Sequence, residues 1–280
     1  MTPHQWLALE TSTDTLSLAV ARGAHTWTHT SAGGALTSTH MIPQALALLQ
    51  EAGLPLADLH AVVFGRGPGA FTGLRTACSV AQGLAFGANL PVLPIDTLLA
   101  VAEEARAAHA ASGAVPVTRV LAVMDARMEQ VYAAAYEFTP NAAAENPTPA
   151  GEPHLLQGTW RCVQAPELHS PESLHWPADW AADGFIAAGN AWSVYARALA
   201  RGTAGATTHG LAHRGSVGAL SARGVGCGCC CAARRSAAAL HPRQSGANHG
   251  RAHADQSASR TACGHAGFID NSSLTLCHPR

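Results

Sequence analysis

Gly65-Arg66-Gly67-Pro68-Gly69-Ala70-Phe71-Thr72-Gly73-Leu74-Arg75 is the stretch whose reading decides the fold. The apolar run Ala61-Val62-Val63-Phe64 precedes it and an amphipathic run follows, so the order expected is strand, glycine-rich turn, helix. Gly67, Gly69 and Gly73 admit positive φ or a close backbone approach, Pro68 fixes φ between two of them, and Thr72 stands where a helix N-cap hydroxyl would be. Such a turn can aim backbone N–H groups at an anion or present a rigid contact surface, and spacing alone does not choose. It lacks the Lys-Ser/Thr pair of a phosphate loop and the dinucleotide spacing.

Working outward, Trp6–Glu10 reads as a strand and Thr11-Ser12-Thr13-Asp14 as a turn. Leu16–Ala21 reads as the returning strand and residues 24–30 as a third. A helix carrying Met41, Leu46, Leu48 and Leu49 ends at Gly53, ahead of the opening strand and turn. A helix over Leu74–Phe86 carries the small residues Ala77, Ser79, Ala81, Gly83 and Ala85, which admit a second helix closely. A strand at Pro91–Ile95 and a helix at Thr97–Ala108 complete a βββαβαβα order, which suits a mixed sheet with helices on its faces. The scheme then restarts near residue 112 with strands at Arg119–Met124 and Gln130–Phe138 around the turn Asp125-Ala126-Arg127-Met128. Residues 139–151 read as a surface loop. Phe185–Ala191 reads as a strand with a glycine turn, leading into a helix that reaches Ala200.

Composition divides the chain. Residues 1–200 hold 16 Asp/Glu against 8 Arg, a formal −8, and residues 201–280 hold 2 Asp against 9 Arg, a formal +7. There is no lysine, and six of the eight cysteines (Cys227, Cys229, Cys230, Cys231, Cys263, Cys277) lie in the second part. The first part is apolar enough to bury roughly 70% of its unfolded surface, whereas the tail has neither helical nor strand periodicity. No 18-residue apolar run and no basic, apolar leader is present, so the expectation is a cytoplasmic protein without a membrane span. Cys227-Gly-Cys229-Cys230-Cys231 lacks the second pair a structural zinc site needs, although the tail's arginines could hold RNA nonspecifically.

Leu7–Thr13, the Gly65–Arg75 loop, Asp125–Tyr132 and Gly189-Asn190 together resemble the TsaB (YeaZ) family, in order and spacing, over residues 5 to about 200. The resemblance implies an α/β fold of two actin-like (ribonuclease-H-like, ASKHA) lobes. These are expected at 1–111 and 112–200, the second incomplete, with an irregular tail at 201–280. It also implies a noncatalytic accessory subunit in bacterial tRNA threonylcarbamoyladenosine synthesis. In that system TsaD transfers the threonylcarbamoyl group from its adenylate to the adenosine 3′ of the tRNA anticodon, and the ATPase TsaE joins the complex. TsaD would be the direct partner and tRNA would be reached through the complex. No cofactor or metal would belong to this chain, ATP and metal being expected on the partner subunits. Codons can be chosen for Leu240–Arg251 that, shifted by one base, encode a string resembling the family's carboxyl-terminal motif. The expectation is a frameshift at or just after 198–206, a tail without an evolved fold and a less stable second lobe.

The site residues implied are of two kinds. Met41, Gln44, Leu48, Ala77, Ala81 and Leu84 would form a helical face for TsaD. Glu10, Thr11, Ser12, Gly67, Gly69, Thr72, Gly73 and Arg75 would form either a phosphate loop or a structural turn. Glu10 stands where actin-like ATPases place a carboxylate near the nucleotide's metal, and TsaB proteins commonly carry Asp there; capping of the Thr11–Thr13 turn is the plainer role. Arg75 could meet phosphate, pair with a partner's acid, or lie solvated on its helix. Asp125 and Arg127 suit an internally bonded turn better than catalysis.

His25 and His29 imitate a metal pair, but on a strand they stand about 13 Å apart. The same spacing at His209/His213 and His249/His253 lies in the tail, where no helix is expected. A peptidase would need a triad or metal constellation that the sequence does not offer. The alternatives kept are an independent actin-like ATPase or small-molecule kinase, and a homodimer formed through the same helices without TsaD.

Overall fold

A computed structural model describes residues 4–23, 25–34, 37–140, 158–180 and 184–202. Two sheets organise them. The first has the order β3-β2-β1-β4-β5, with β1 Gln5–Glu10, β2 Thr15–Arg22, β3 His25–Ala32, β4 Ala61–Gly67 and β5 Val92–Asp96. β1 is antiparallel to β2 and parallel to β4, which is parallel to β5. Parallel neighbours need a crossover, and the helices supply it: α1 Thr37–Glu51 joins β3 to β4, and α2 Phe71–Ala88 joins β4 to β5. The second sheet has the order β8-β7-β6-β9, with β6 Arg119–Arg127, β7 Gln130–Pro140, β8 Gly158–His169 and β9 Ile186–Ala188. β6 is antiparallel to β7 and parallel to β9, so the second sheet repeats the first four positions of the first. α3 Thr97–Ala111 links the sheets, and α4 Ala191–Gly202 follows β9.

Both faces of β1 are covered, which is why it reads as a nearly unbroken apolar run. Leu7 and Leu9 join Leu18, Val20, Val62, Met41, Ala45, Leu48, Ala77, Ala81 and Ala85 in a core under α1 and α2. Trp6 and Ala8 point the other way, to Ala19, Ala21, Val63 and Ile95. β6 alternates in the same manner. Val120, Ala122 and Met124 meet Leu98, Val101 and Ala105 of α3, while Leu121 and Val123 meet Trp180, Phe185 and Leu199. The boundary expected at 111/112 falls after α3, yet the apolar face of α3 builds the core of the second sheet.

Local rules set several ends. α1 stops where Gly53, at φ +61°, lets its own N–H reach Gln50 O and that of Leu54 reach Leu49 O, each at 3.0 Å. α2 stops at Asn89, which takes the left-handed conformation at φ 53°.

One expectation changes, and one strand is added to those expected. α2 starts at Phe71, with Ala70 as its N-cap and no side-chain cap, so Thr72 lies inside the first turn, where its carbonyl accepts the Thr76 hydroxyl at 2.9 Å. β8 went unread in the sequence because Pro166 interrupts a run of mixed polarity; it is tolerated because β8 is an edge strand whose register shifts along β7. Of the loop expected at 139–151, residues 139 and 140 still belong to β7 and the rest lies outside the described residues; of the tail expected from 201, residues 201 and 202 close α4 and the rest likewise lies outside. Among the described residues no helix is long and apolar enough to cross a membrane.

Candidate functional site

The carboxyl ends of β1 and β4 meet in a turn cluster. Glu10 is buried, and its carboxylate accepts the Ser12 N–H at 2.6 Å and the Thr97 hydroxyl at 3.3 Å. Burial pushes this carboxyl above its ordinary value, with the bonds from Ser12 and Thr97 opposing the rise. The β4–α2 loop then closes over the turn. Ala70 N donates to Ser12 O at 2.7 Å, and the Thr11 hydroxyl donates to Gly73 O at 2.7 Å.

This closure explains the glycines. A Cβ at Gly73 would stand 1.9 Å from Thr11 O, one at Gly69 2.5 Å from Ser12 O, and one at Gly65 1.9 Å from Glu10 Oε2. Gly67 takes φ +99°, where an L side chain would be strained. At Gly69 and Gly73 the backbone carbonyls of Ser12 and Thr11 occupy the space that the glycine leaves, and at Gly65 the Glu10 carboxylate does. Of the residues expected together, Glu10, Thr11, Ser12, Gly67, Gly69 and Gly73 are together. Thr72 and Arg75 are exposed on α2, where the Arg75 guanidinium lies 3.8 Å from the centre of the Phe71 ring.

The second lobe repeats the arrangement. Gly189, at φ +126°, packs against β6, where a Cβ would come 2.0 Å from Val123 O, and Asn190 Oδ1 accepts Asp125 N at 2.9 Å. The Asp125 carboxylate accepts Arg127 N at 2.8 Å and the Tyr195 hydroxyl at 3.0 Å. Desolvation, then that bond, raises the Tyr195 phenol above its ordinary value. Arg127, Met128 and Glu129 all take positive φ in the β6–β7 turn. Arg127 reaches Asp14 of the first lobe at 2.5 Å, so the two lobes' turns touch. Asp14, Thr97 and Tyr195 were missed in the sequence because their partners lie far along the chain; only Asp14, in a Thr-Ser-Thr-Asp turn, carried a local signal.

The helical face expected to meet a partner divides differently. Met41, Leu48, Ala77 and Ala81 are buried in this chain's own core, Leu84 packs against that core, and Gln44 accepts the Ser31 hydroxyl at 3.4 Å. They are corrected to core and support residues, because the inner stripe of an amphipathic helix covers its sheet first. Outward-facing apolar groups are instead Ile42 and Leu46 on α1, exposed to 40% and 45%, and Phe71 and Phe86 on α2, exposed to 66% and 69%. On α2, Gly83 and Gly87 also open onto free space.

Two lobes of one strand order, each closing a glycine turn over the end of its central strand, define a two-lobed actin-like protein. Against known proteins, the chain is 30% identical over 189 residues to the tRNA threonylcarbamoyladenosine biosynthesis protein TsaB of Escherichia coli, covering 68% of this chain and 72% of that one. The chain belongs to the TsaB family. The Haemophilus influenzae protein of the same name is 44% identical over 127 residues, covering 45% of this chain and 51% of that one. A family model for TsaD, tRNA N6-adenosine threonylcarbamoyltransferase, matches residues 35–152. Among solved structures, YeaZ from Pseudomonas aeruginosa superposes with a TM-score of 0.55 at 33% identity, over 70% of this chain and 80% of that one. A further Pseudomonas aeruginosa structure, described as similar to peptidase YeaZ, gives a TM-score of 0.60 at 30% identity, over 85% and 94% of the two chains.

Proposed function

We propose that this chain is a noncatalytic subunit of tRNA threonylcarbamoyladenosine synthesis that docks on TsaD through the outer face of α1 and α2. The exposed apolar groups Ile42 and Leu46 on α1 and Phe71 and Phe86 on α2, together with the bare backbone of Gly83 and Gly87 on α2, carry the reading. Apolar side chains gathered on neighbouring helices are the usual mark of a partner site, and glycines on a helix face let another helix come close. The match of residues 35–152 to a TsaD family model adds support, since it spans both helices: a protein of related fold would bring a comparable pair to the contact. The closed turn cluster favours the accessory role, because Ser12 O already takes the Ala70 N–H at the entrance of α2. ATP and metal then act on the partner subunits, TsaD and TsaE, in the cytoplasm, and tRNA is met through the complex. The same face would pair two copies of this chain when TsaD is absent.

The test is copurification with TsaD. Gly83→Arg and Leu46→Glu should each cut retention by about tenfold or more while leaving the isolated chain folded, since each change points into open space. Retention equal to that of the wild type in both variants would refute the docking face.

A further inference from the structure

The carboxyl end of β8 carries an arrangement that the turn cluster and the docking face do not use. Glu167 and His169 are two residues apart on one strand, so both side chains leave the same face. The 3₁₀ turn Pro171–Ser173 then folds the chain back, held by Ser173 N on Ser170 O at 3.0 Å and by the two serine hydroxyls at 2.7 Å. This brings His175 against His169, with ring centres 4.6 Å apart and planes at 89°. One ligand atom each from Glu167, His169 and His175 falls within a 4.8 Å group.

His169 makes the group more than a surface cluster. It is 9% exposed, its Nε2 has no hydrogen-bond partner, and Glu167 Oε2 stands 3.8 Å from that nitrogen. A buried ring nitrogen left without a donor or acceptor carries a desolvation cost that a ligand at this point would remove. Burial and the neighbouring His175 also favour the neutral ring, the form that coordinates a metal. His175 Nδ1 faces Ser173 O at 3.5 Å, which leaves its Nε2 available, in the way a backbone carbonyl orients a ligating imidazole.

We infer that Glu167, His169 and His175 form a site for a divalent transition cation of the zinc type, tying the end of β8 to the loop that follows it. Two imidazoles and one carboxylate are donors that zinc accepts, at about 2.0–2.2 Å each, so ligand atoms sit about 3.3 Å apart in a tetrahedron. Glu167 and His175 are exposed and free to close the remaining gap by side-chain rotation, whereas the rigid His169 fixes the centre. The histidine pairs singled out by spacing in the sequence do not include this one, because its members are brought together by a strand followed by a turn, not by a helix. The site is independent of docking on TsaD.

Zinc chloride titrated calorimetrically into the full chain tests the inference, with the thiols first blocked by maleimide so that cysteine does not contribute. Wild type should bind one more equivalent than His175→Ala and than Glu167→Gln, or bind it at least about tenfold more tightly, with reversal by chelator. Zinc held elsewhere, including by tail histidines, contributes equally to all three isotherms and cancels. Superimposable isotherms for the wild type and both variants would overturn the site. Both substituted side chains are exposed, and circular dichroism identifies any variant that fails to fold, in which case the other decides.

Discussion

At Gly73 the side chain is excluded by main chain, since a Cβ would meet Thr11 O at 1.9 Å and neither backbone can retreat without breaking the turn. Gly73→Ala should therefore cost about 1–3 kcal/mol, read from urea denaturation. Gly65→Ala meets a side chain instead, the Glu10 carboxylate, so its cost should fall when Glu10→Asp is added, a coupling of about 0.5–3 kcal/mol in a double-mutant cycle. Glu10 also makes stability depend on pH. Its folded pKa is raised above the ordinary 4.5 by burial, so between that value and the folded one the native state holds more protons than the unfolded state. Its contribution is complete below about pH 4.5 and is lost as pH rises through the folded pKa. Glu10→Gln should flatten that part of the profile, and a denaturation midpoint with unchanged pH dependence would contradict the assignment. The sequence disclosed that these glycines were needed, from their number between a strand and a helix. It did not disclose that the neighbour is a carbonyl of the β1–β2 turn, because that contact spans more than sixty residues.

Among the elements, the two hairpin ends respond differently to charge removal. Arg127 and Asp14 bridge the lobes in solvent, with side chains 65% and 80% exposed, and such pairs contribute about 0–1 kcal/mol. Asp14→Asn should barely shift the unfolding midpoint. Asp125 is half-buried, with its side chain 8% exposed, and accepts from the Tyr195 hydroxyl and Arg127 N, so Asp125→Ala removes two hydrogen bonds at about 0.5–1.5 kcal/mol each and should cost about 1–3 kcal/mol. A smaller loss for Asp125→Ala than for Asp14→Asn would reverse this ranking. The strand and helix pattern itself was largely legible. The apolar runs of β1 and β6, the alternation of β2 and the small residues of α2 announced their elements, and the Gly53 stop set the end of α1. The edge strand β8 was not legible, since a strand paired on one side with Pro166 inside it has no sustained period. The faces of α1 and α2 were misassigned for a related reason: periodicity identifies an apolar stripe without saying whether the covering partner is the chain's own sheet or another protein.

For the molecule as a whole, the closed turn cluster predicts that the isolated chain turns over ATP no faster than buffer, and sustained hydrolysis by a monodisperse sample would return the kinase reading to favour. Sedimentation of the chain alone and with TsaD should show a self-associated species replaced by a mixed one, both sensitive to Gly83→Arg. By itself the sequence determined the family, the α/β class and the two-lobed plan, because strand and helix periods, glycine turns and motif order are local properties written along the chain. Tertiary structure alone decided that the glycines admit backbone carbonyls, that Met41, Leu48, Ala77 and Ala81 are core, and that Glu167, His169 and His175 converge. Each of these depends on which surfaces fold against each other, and burial is a property of the packed chain rather than of any stretch of it.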